Sequence, residues 1–277
     1  MKYLIINADD YGHTPGVSAG IRAAHLQGIV TSTTAMMNSP HIEEELPRLI
    51  ELCPRIGIGV HLVMTYGKPL LPAGSLPVLM SLSEDGQTFN HDPLGQIDRI
   101  DAEEVRAEWQ AQIDKFIRIA GRVPDHLDAH HHAMCFNESL FQIYLELASG
   151  IGCPVRRALE DFEVGSALFK DMQALSDVKM PDRFDGRFYN DQATDEMLDR
   201  MIVDLQPGVT EWMCHPAEVD QELMHKSRYN SRRGEELKIL VQPGLRQRLE
   251  QSGVKLVPFG FLAEKKTSFT GNTGDRQ

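Results

Sequence analysis

The first apolar run of the chain, Tyr3-Leu4-Ile5-Ile6, leads into Asn7-Ala8-Asp9-Asp10-Tyr11-Gly12 and so ends on two adjacent carboxylates. Such neighbours repel one another unless a proton or a cation resolves the conflict. The plainer reading is a solvated turn with Asp as a helix cap, and the dipeptide alone favours it. Three further segments change the weighing. Ile56-Gly57-Ile58-Gly59-Val60-His61-Leu62 places Gly57, Gly59 and His61 on one face of an extended chain, opposite three branched aliphatics, with the glycines leaving room beside the imidazole. His126-Leu127-Asp128-Ala129-His130-His131-His132 projects His126, Asp128, His130 and His132 to one side. Imidazoles beside a carboxylate form a natural divalent-metal cluster, with the carboxylate orienting a ring, whereas a surface His run is the ordinary alternative. Glu211-Trp212-Met213-Cys214-His215-Pro216 closes another apolar run on a histidine, which by itself reads equally well as a buried ring bonded to a carbonyl.

These segments have to be carried by strands that end on one side of the molecule. Strand patterns cover Tyr3–Asn7, Val30–Met37, Ile56–Leu62, His126–His130, Cys153–Arg156, Thr210–Cys214 and Lys255–Phe259. Helix patterns cover Gly16–Leu26, Ile42–Leu52, Ala102–Ile119, Glu138–Ala148, Asp195–Leu205 and Glu235–Gln251. Alternation of the two kinds calls for parallel strands with crossover helices. The expected fold is therefore α/β, a distorted (β/α) TIM-like barrel of about seven parallel strands, with an open doubly wound sheet as the runner-up. In such folds sites form at the C-terminal ends of the strands, where all four segments converge. Thr14-Pro15, Asp101 with Glu104, and Gly28, Gly121 and Gly253 supply helix-end signals. Met64–Ile100 and Leu159–Thr194 read as long irregular insertions, and their aromatics Tyr66, Phe184, Phe188 and Tyr189 are candidates for stacking on a sugar ring. Arg183 and Lys179 are candidate cations for sugar hydroxyls or the base.

Composition sets the bounds. The chain has 277 residues, 42% hydrophobic and 25% charged, enough for one sizeable core, read as one domain over residues 1–264 with a polar, disordered tail over 265–277. The formal net charge of −12 argues against a nucleic-acid partner. No apolar run is long enough for a bilayer span, and the N-terminal one is too short for a signal-peptide core, so no membrane partner is expected. The 4 cysteines form no CxxC pair, which fits reduced thiols and a cytoplasmic location.

The stretches LIINADDYGHTPGV, GIVTSTTAMMN, GIGVHLVMTYGKPL, HLDAHHH, WMCHPAEVD and EELKIL with SGVKLVPF, taken in order, make the chain similar to the YdjC family of carbohydrate deacetylases, and within it to the branch acting on chitooligosaccharides. The resemblance covers nearly the whole chain and implies a distorted barrel with one divalent metal ion, Mg²⁺ or Zn²⁺. It implies Asp10, His61 and His130 as metal ligands, Asp9 as catalytic base and His215 as general acid. It also implies a small N-acetylated sugar such as N,N′-diacetylchitobiose as substrate, and a homodimer. Tyr11 and Ala129 depart from the family pattern, in which Phe and Ser are common at these places. Asp128 remains open between a direct ligand and a hydrogen-bond partner that sets the tautomer of His61 or His130, the second being preferred. His132 is a candidate for the pocket wall, and His131, on the opposite face of an ideal strand, is read as structural. A metal-dependent sugar isomerase or epimerase is the competing enzyme class, but it would call for more acidic ligands and a nearby lysine. A sugar-binding or metal-storage module would leave the candidate acid and base without a purpose.

Overall fold

The computed structural model describes residues 1–157 and 176–264. Strand β1 (Lys2–Tyr11) runs through the centre of a seven-stranded parallel sheet, and its residues 4–11 are buried throughout, as a strand covered on both faces must be. The other strands are β2 (Ser32–Ala35), β3 (Gly57–Leu62), β4 (Leu127–Ala129), β5 (Arg183–Asp185), β6 (Gly208–Cys214) and β7 (Val254–Leu256). The path is β4-β3-β2-β1-β6-β5, with β7 also on β1. Residues 2–8 of β1 pair β6, so the other side of β1 is shared: residues 2–4 pair β7 and residues 7–11 pair β2. The result is a half-barrel of parallel strands with helices around it.

Ten α-helices lie among the described residues: α1 (Pro15–Leu26), α2 (Ile42–Leu52), α3 (Pro77–Ser81), α4 (Ala102–Ala120), α5 (Glu138–Ile151), α6 (Asp195–Asp204), α7 (Gln221–Lys226), α8 (Ser231–Leu240), α9 (Leu245–Gln251) and α10 (Phe261–Glu264). Their ends follow local chemistry. Thr14 accepts from Val17 N and Pro15 opens α1; Asp101 accepts from Glu103 N and Glu104 N at the start of α4; Gly121 and Gly152 take left-handed backbone after α4 and α5. No helix of the described residues is long and apolar enough to cross a membrane.

The structure departs from the sequence reading in several elements: among them, α3 lies inside the stretch Met64–Ile100 read as irregular, and the last strand is Val254–Leu256 rather than Lys255–Phe259. Cys153–Arg156 is not a strand. Pro154 has no N–H to give, and only Val155 bridges β4, while its own N–H turns away to Lys179 O. A strand forms instead inside the stretch read as irregular, where Arg183–Asp185 pairs β6. The helix read over Glu235–Gln251 is two helices, because Pro243 interrupts it and Gly244 sits at φ +81°. The proposed tail over 265–277 and residues 159–175 of the stretch Leu159–Thr194 lie outside the described residues.

Candidate metal and catalytic site

All the strands point the same way, so the residues at their C-terminal ends meet. Asp9 and Asp10 end β1, His61 ends β3, His130 follows β4 and His215 follows β6. A register shift between Ala8 and Tyr11 breaks the β1–β2 ladder here, and Asp10 takes φ +71°, a left-handed conformation that few non-glycine residues adopt. The kink lets neighbouring carboxylates face different partners.

Asp10 Oδ1 lies 3.2 Å from His61 Nε2 and 3.2 Å from His130 Nδ1. The two nitrogens are 3.1 Å apart. A cation about 2.1 Å from each of three donors spans donor–donor edges of roughly 3.0–3.4 Å, depending on coordination number. Asp10 Oδ1 is buried and has no hydrogen-bond partner among the described residues. Asp128 Oδ1 accepts from His61 Nδ1 at 2.6 Å, which orients the ring with Nε2 toward Asp10 and would leave the Nε2 lone pair for an ion. Burial opposes a charged His61, but Asp128 and Asp10 outweigh it and push its pKa up to about 10. A place that draws positive charge this strongly suits a cation. Asp10 itself stays well below the usual carboxylate range: burial works against ionisation, and Arg233 and His130 overcome it. The donor set therefore fits a divalent ion. Asp128 takes the role of partner to His61 rather than to His130.

Beneath this triangle Arg156 is fully buried among carboxylates. Its Nη1 and Nη2 donate to the two oxygens of Asp9 at 2.6 and 2.7 Å, its Nε donates to Glu211 at 2.7 Å, and its Nη1 is also 2.9 Å from Asp128. Asn7 Nδ2 donates to Asp9 at 2.8 Å. Despite the desolvation of Asp9, Arg156 keeps that carboxyl far below its usual range, while burial pushes Glu211 up to about 8 and so leaves it neutral at pH 7. Three carboxylates, Asp9, Asp10 and Asp128, thus meet the two guanidiniums of Arg156 and Arg233 here.

His215 Nε2 lies 3.9 Å from Asp9 Oδ2. Burial and then Arg233 lower its pKa to about 4, so the ring is neutral at pH 7. Its backbone N–H donates to Glu236 at 2.5 Å, and Glu236 also accepts from the Tyr229 hydroxyl. Tyr189 and Tyr229 stand edge-on to the imidazole, at 5.4 and 5.6 Å between centroids. These groups open on a cavity of about 1110 Å³, large enough for a small oligosaccharide, whose wall includes Asp9, Asp10, His61, His130, His215 and Tyr66.

Several expectations meet this geometry differently. The strand stops at Ala129, and His131 and His132 take φ of 54° and 52°, so the alternation read over 126–132 does not extend past His130. His131 consequently stacks on His130 at 3.9 Å and lines the cavity, contrary to the structural part expected of it. His132 also lines it. His126 sits below, stacked flat on Phe259 and paired with Asn7 Oδ1. Gly59 makes room for that ring rather than for His61, since a Cβ there would lie 2.7 Å from the His126 side chain. Tyr66 and Tyr189 reach the cavity, whereas Phe184 and Phe188 are buried. Arg183 and Lys179 are not brought to it: Arg183 donates to Pro207 O and borders a separate smaller cavity, and Lys179 reaches Ala263 O. Arg156, Arg233 and Glu236 escaped the sequence reading. The one available signal was a pair of arginines closing the short apolar run Cys153-Pro154-Val155.

A sequence model of the YdjC-like protein family matches residues 3–251. The chain is 37% identical to a carbohydrate deacetylase of Enterococcus faecalis, over 95% of this chain and 98% of that one. It is 33% identical to a chitooligosaccharide deacetylase of Proteus mirabilis, over 91% and 96% of the two chains. A crystal structure from Enterococcus faecalis, described as that of a cellobiose-phosphate cleavage protein, superposes with a TM-score of 0.85 at 36% identity, covering 94% of this chain and 98% of that one.

Proposed function

Because the chain belongs to the YdjC-like family, we propose that it is a carbohydrate deacetylase that hydrolyses the N-acetyl group of N-acetylglucosamine-containing oligosaccharides such as N,N′-diacetylchitobiose, releasing acetate, with one divalent ion, Mg²⁺ or Zn²⁺, held by Asp10, His61 and His130. The observation that carries the reading is the triangle of donor atoms, 3.1–3.2 Å on each edge, opening on the same cavity as Asp9 and His215. What the ion supplies when bound is Lewis acidity toward the acetyl oxygen and a more acidic water.

The protein's own groups handle the protons. Asp9, immobilised by Arg156, orients the attacking water and takes its proton as general base. Arg156 keeps the carboxylate anionic and so in the form that can accept that proton. His215 rests neutral, so the proton it gives the departing amine is the one taken from water, passed across the 3.9 Å between Asp9 and His215. The products are acetate and the free amine. Tyr66 and Tyr189 supply apolar faces for a sugar ring at the cavity wall.

The test is acetate release from N,N′-diacetylchitobiose by protein stripped with a chelator and then reloaded with Zn²⁺ or Mg²⁺. Release that returns with metal supports the reading. No release from this or other N-acetylated sugars rules out the substrate class, and undiminished release after exhaustive stripping rules out the role of the ion. A product of unchanged mass would point to an isomerase instead.

A further inference from the structure

The two adjacent carboxylates are held by arginines in different ways. Arg156 uses both terminal nitrogens and occupies both oxygens of Asp9. Arg233 gives a single nitrogen, Nη2, to a single oxygen, Asp10 Oδ2, at 2.6 Å. The other oxygen of Asp10 faces the two imidazoles. A guanidinium placed only to neutralise a buried carboxylate would take both oxygens in a fork, which is the stronger arrangement.

Arg233 has little freedom to leave. It is 4% exposed, its Nε donates to Tyr229 O at 2.9 Å, and its guanidinium lies over the Tyr229 ring at 5.1 Å. That ring is fixed in turn by the hydrogen bond from its hydroxyl to Glu236. Asp10 cannot easily swing either, with its backbone committed to the left-handed region at the β1 kink.

We propose that Arg233 is a positioning residue that reserves Asp10 Oδ2 and so restricts Asp10 to one-oxygen coordination, selecting against large cations that take carboxylates through both oxygens. The inference rests on the reading of Asp10 as a metal ligand. Calcium sites use six to eight oxygens and often a two-oxygen carboxylate, whereas zinc is satisfied by four donors in all. With Oδ2 engaged and a fixed positive charge beside it, Asp10 and two imidazoles form a small, nitrogen-rich set. Freeing Oδ2 enlarges the set and makes it more anionic.

Calorimetric titration of Zn²⁺ and Ca²⁺ into metal-free wild-type protein and Arg233→Met tests this. The variant should bind Ca²⁺ more tightly, on the order of tenfold, so that the preference for Zn²⁺ over Ca²⁺ narrows by a similar factor. If the wild type binds neither ion, nor Mg²⁺ in a parallel titration, the metal reading itself fails. If the wild type binds and the variant keeps or widens the preference, the part assigned to Arg233 fails while the metal reading stands. A crystal structure of the wild type loaded with Mn²⁺ needs no variant. One Asp10 oxygen on the ion with Oδ2 still on Arg233 supports the inference, and coordination through both oxygens overturns it.

Discussion

Arg156 stands 147 residues beyond Asp9 in the chain and holds both oxygens of its carboxylate, at 2.6 and 2.7 Å. The same guanidinium touches Asp128 and Glu211, so it joins three buried acids. Arg156→Met would take from Asp9 its forked partner and leave Asp128 with His61. Loss of one partner from a buried ionic group costs about 3–5 kcal/mol, and a fall of that size is expected in urea unfolding. Arg156→Lys keeps the charge and gives up the fork, so the fold should persist while Asp9 loses its fixed orientation. A drop in kcat of about 10²-fold, the scale of a small misplacement, is expected in acetate release.

Asp128 fixes the tautomer of His61 through the 2.6 Å contact to Nδ1. In Asp128→Asn the side-chain carbonyl can still accept that proton, but without the charge that makes the imidazole a strong donor. Affinity for Zn²⁺ should fall by about 10–100-fold, measured by competition with a chromophoric chelator. Unchanged affinity would remove Asp128 from the machinery of the metal site.

His215→Gln should bind metal as the wild type does and lose about 10²–10⁴-fold in kcat. The pH profile carries the sign of the mechanism. With a pKa lowered to about 4, His215 is neutral and ready above that pH and charged below it. Wild-type kcat/KM should therefore hold as pH falls toward about 4 and drop below it. A profile that instead declines as pH rises above 4 would mean that the working form is the charged ring.

Glu236 gives a stability effect separable from turnover. Burial pushes its pKa from 4.5 up to about 7, so the folded protein binds this proton more tightly than the unfolded chain. The contribution is complete below pH 4.5 and disappears as pH rises through 7. Glu236→Gln should flatten the decline in Tm between pH 5 and 8. Some decline should remain, because Glu211, pushed up to about 8, acts with the same sign.

The legible part of the molecule was the part with a period. The apolar alternation of β1, β3 and β6 located Asp9, Asp10, His61 and His215 at strand ends, and the structure gathers all four on one cavity with His130. Bare alternation could not choose ligands among the neighbours; the family resemblance proposed Asp10, His61 and His130. Residues 130–132 lay beyond any periodicity, since two consecutive left-handed residues have no signature in His-His-His. Strand β5 is three residues between Pro181-Asp182 and Gly186, too short to show a pattern. Arg233 and Glu236 look like ordinary solvated charges on an amphipathic helix until α8 is seen packed against the barrel mouth. Their roles come from tertiary placement, which no local window contains.

The sharing of β1 among β2, β6 and β7 has a consequence for how the protein comes into being on the ribosome. The strand carrying Asp9 and Asp10 is made first, yet two of its three neighbours begin at residues 208 and 254. Until those emerge from the exit tunnel, the lower half of β1 lacks both edge partners and then one of them, and an unpaired apolar strand invites non-native association. The closing contacts are also those of greatest sequence separation, which a chain forms slowly. The acid pair is thus translated early and assembled late, and chaperone capture of nascent chains should concentrate in that interval.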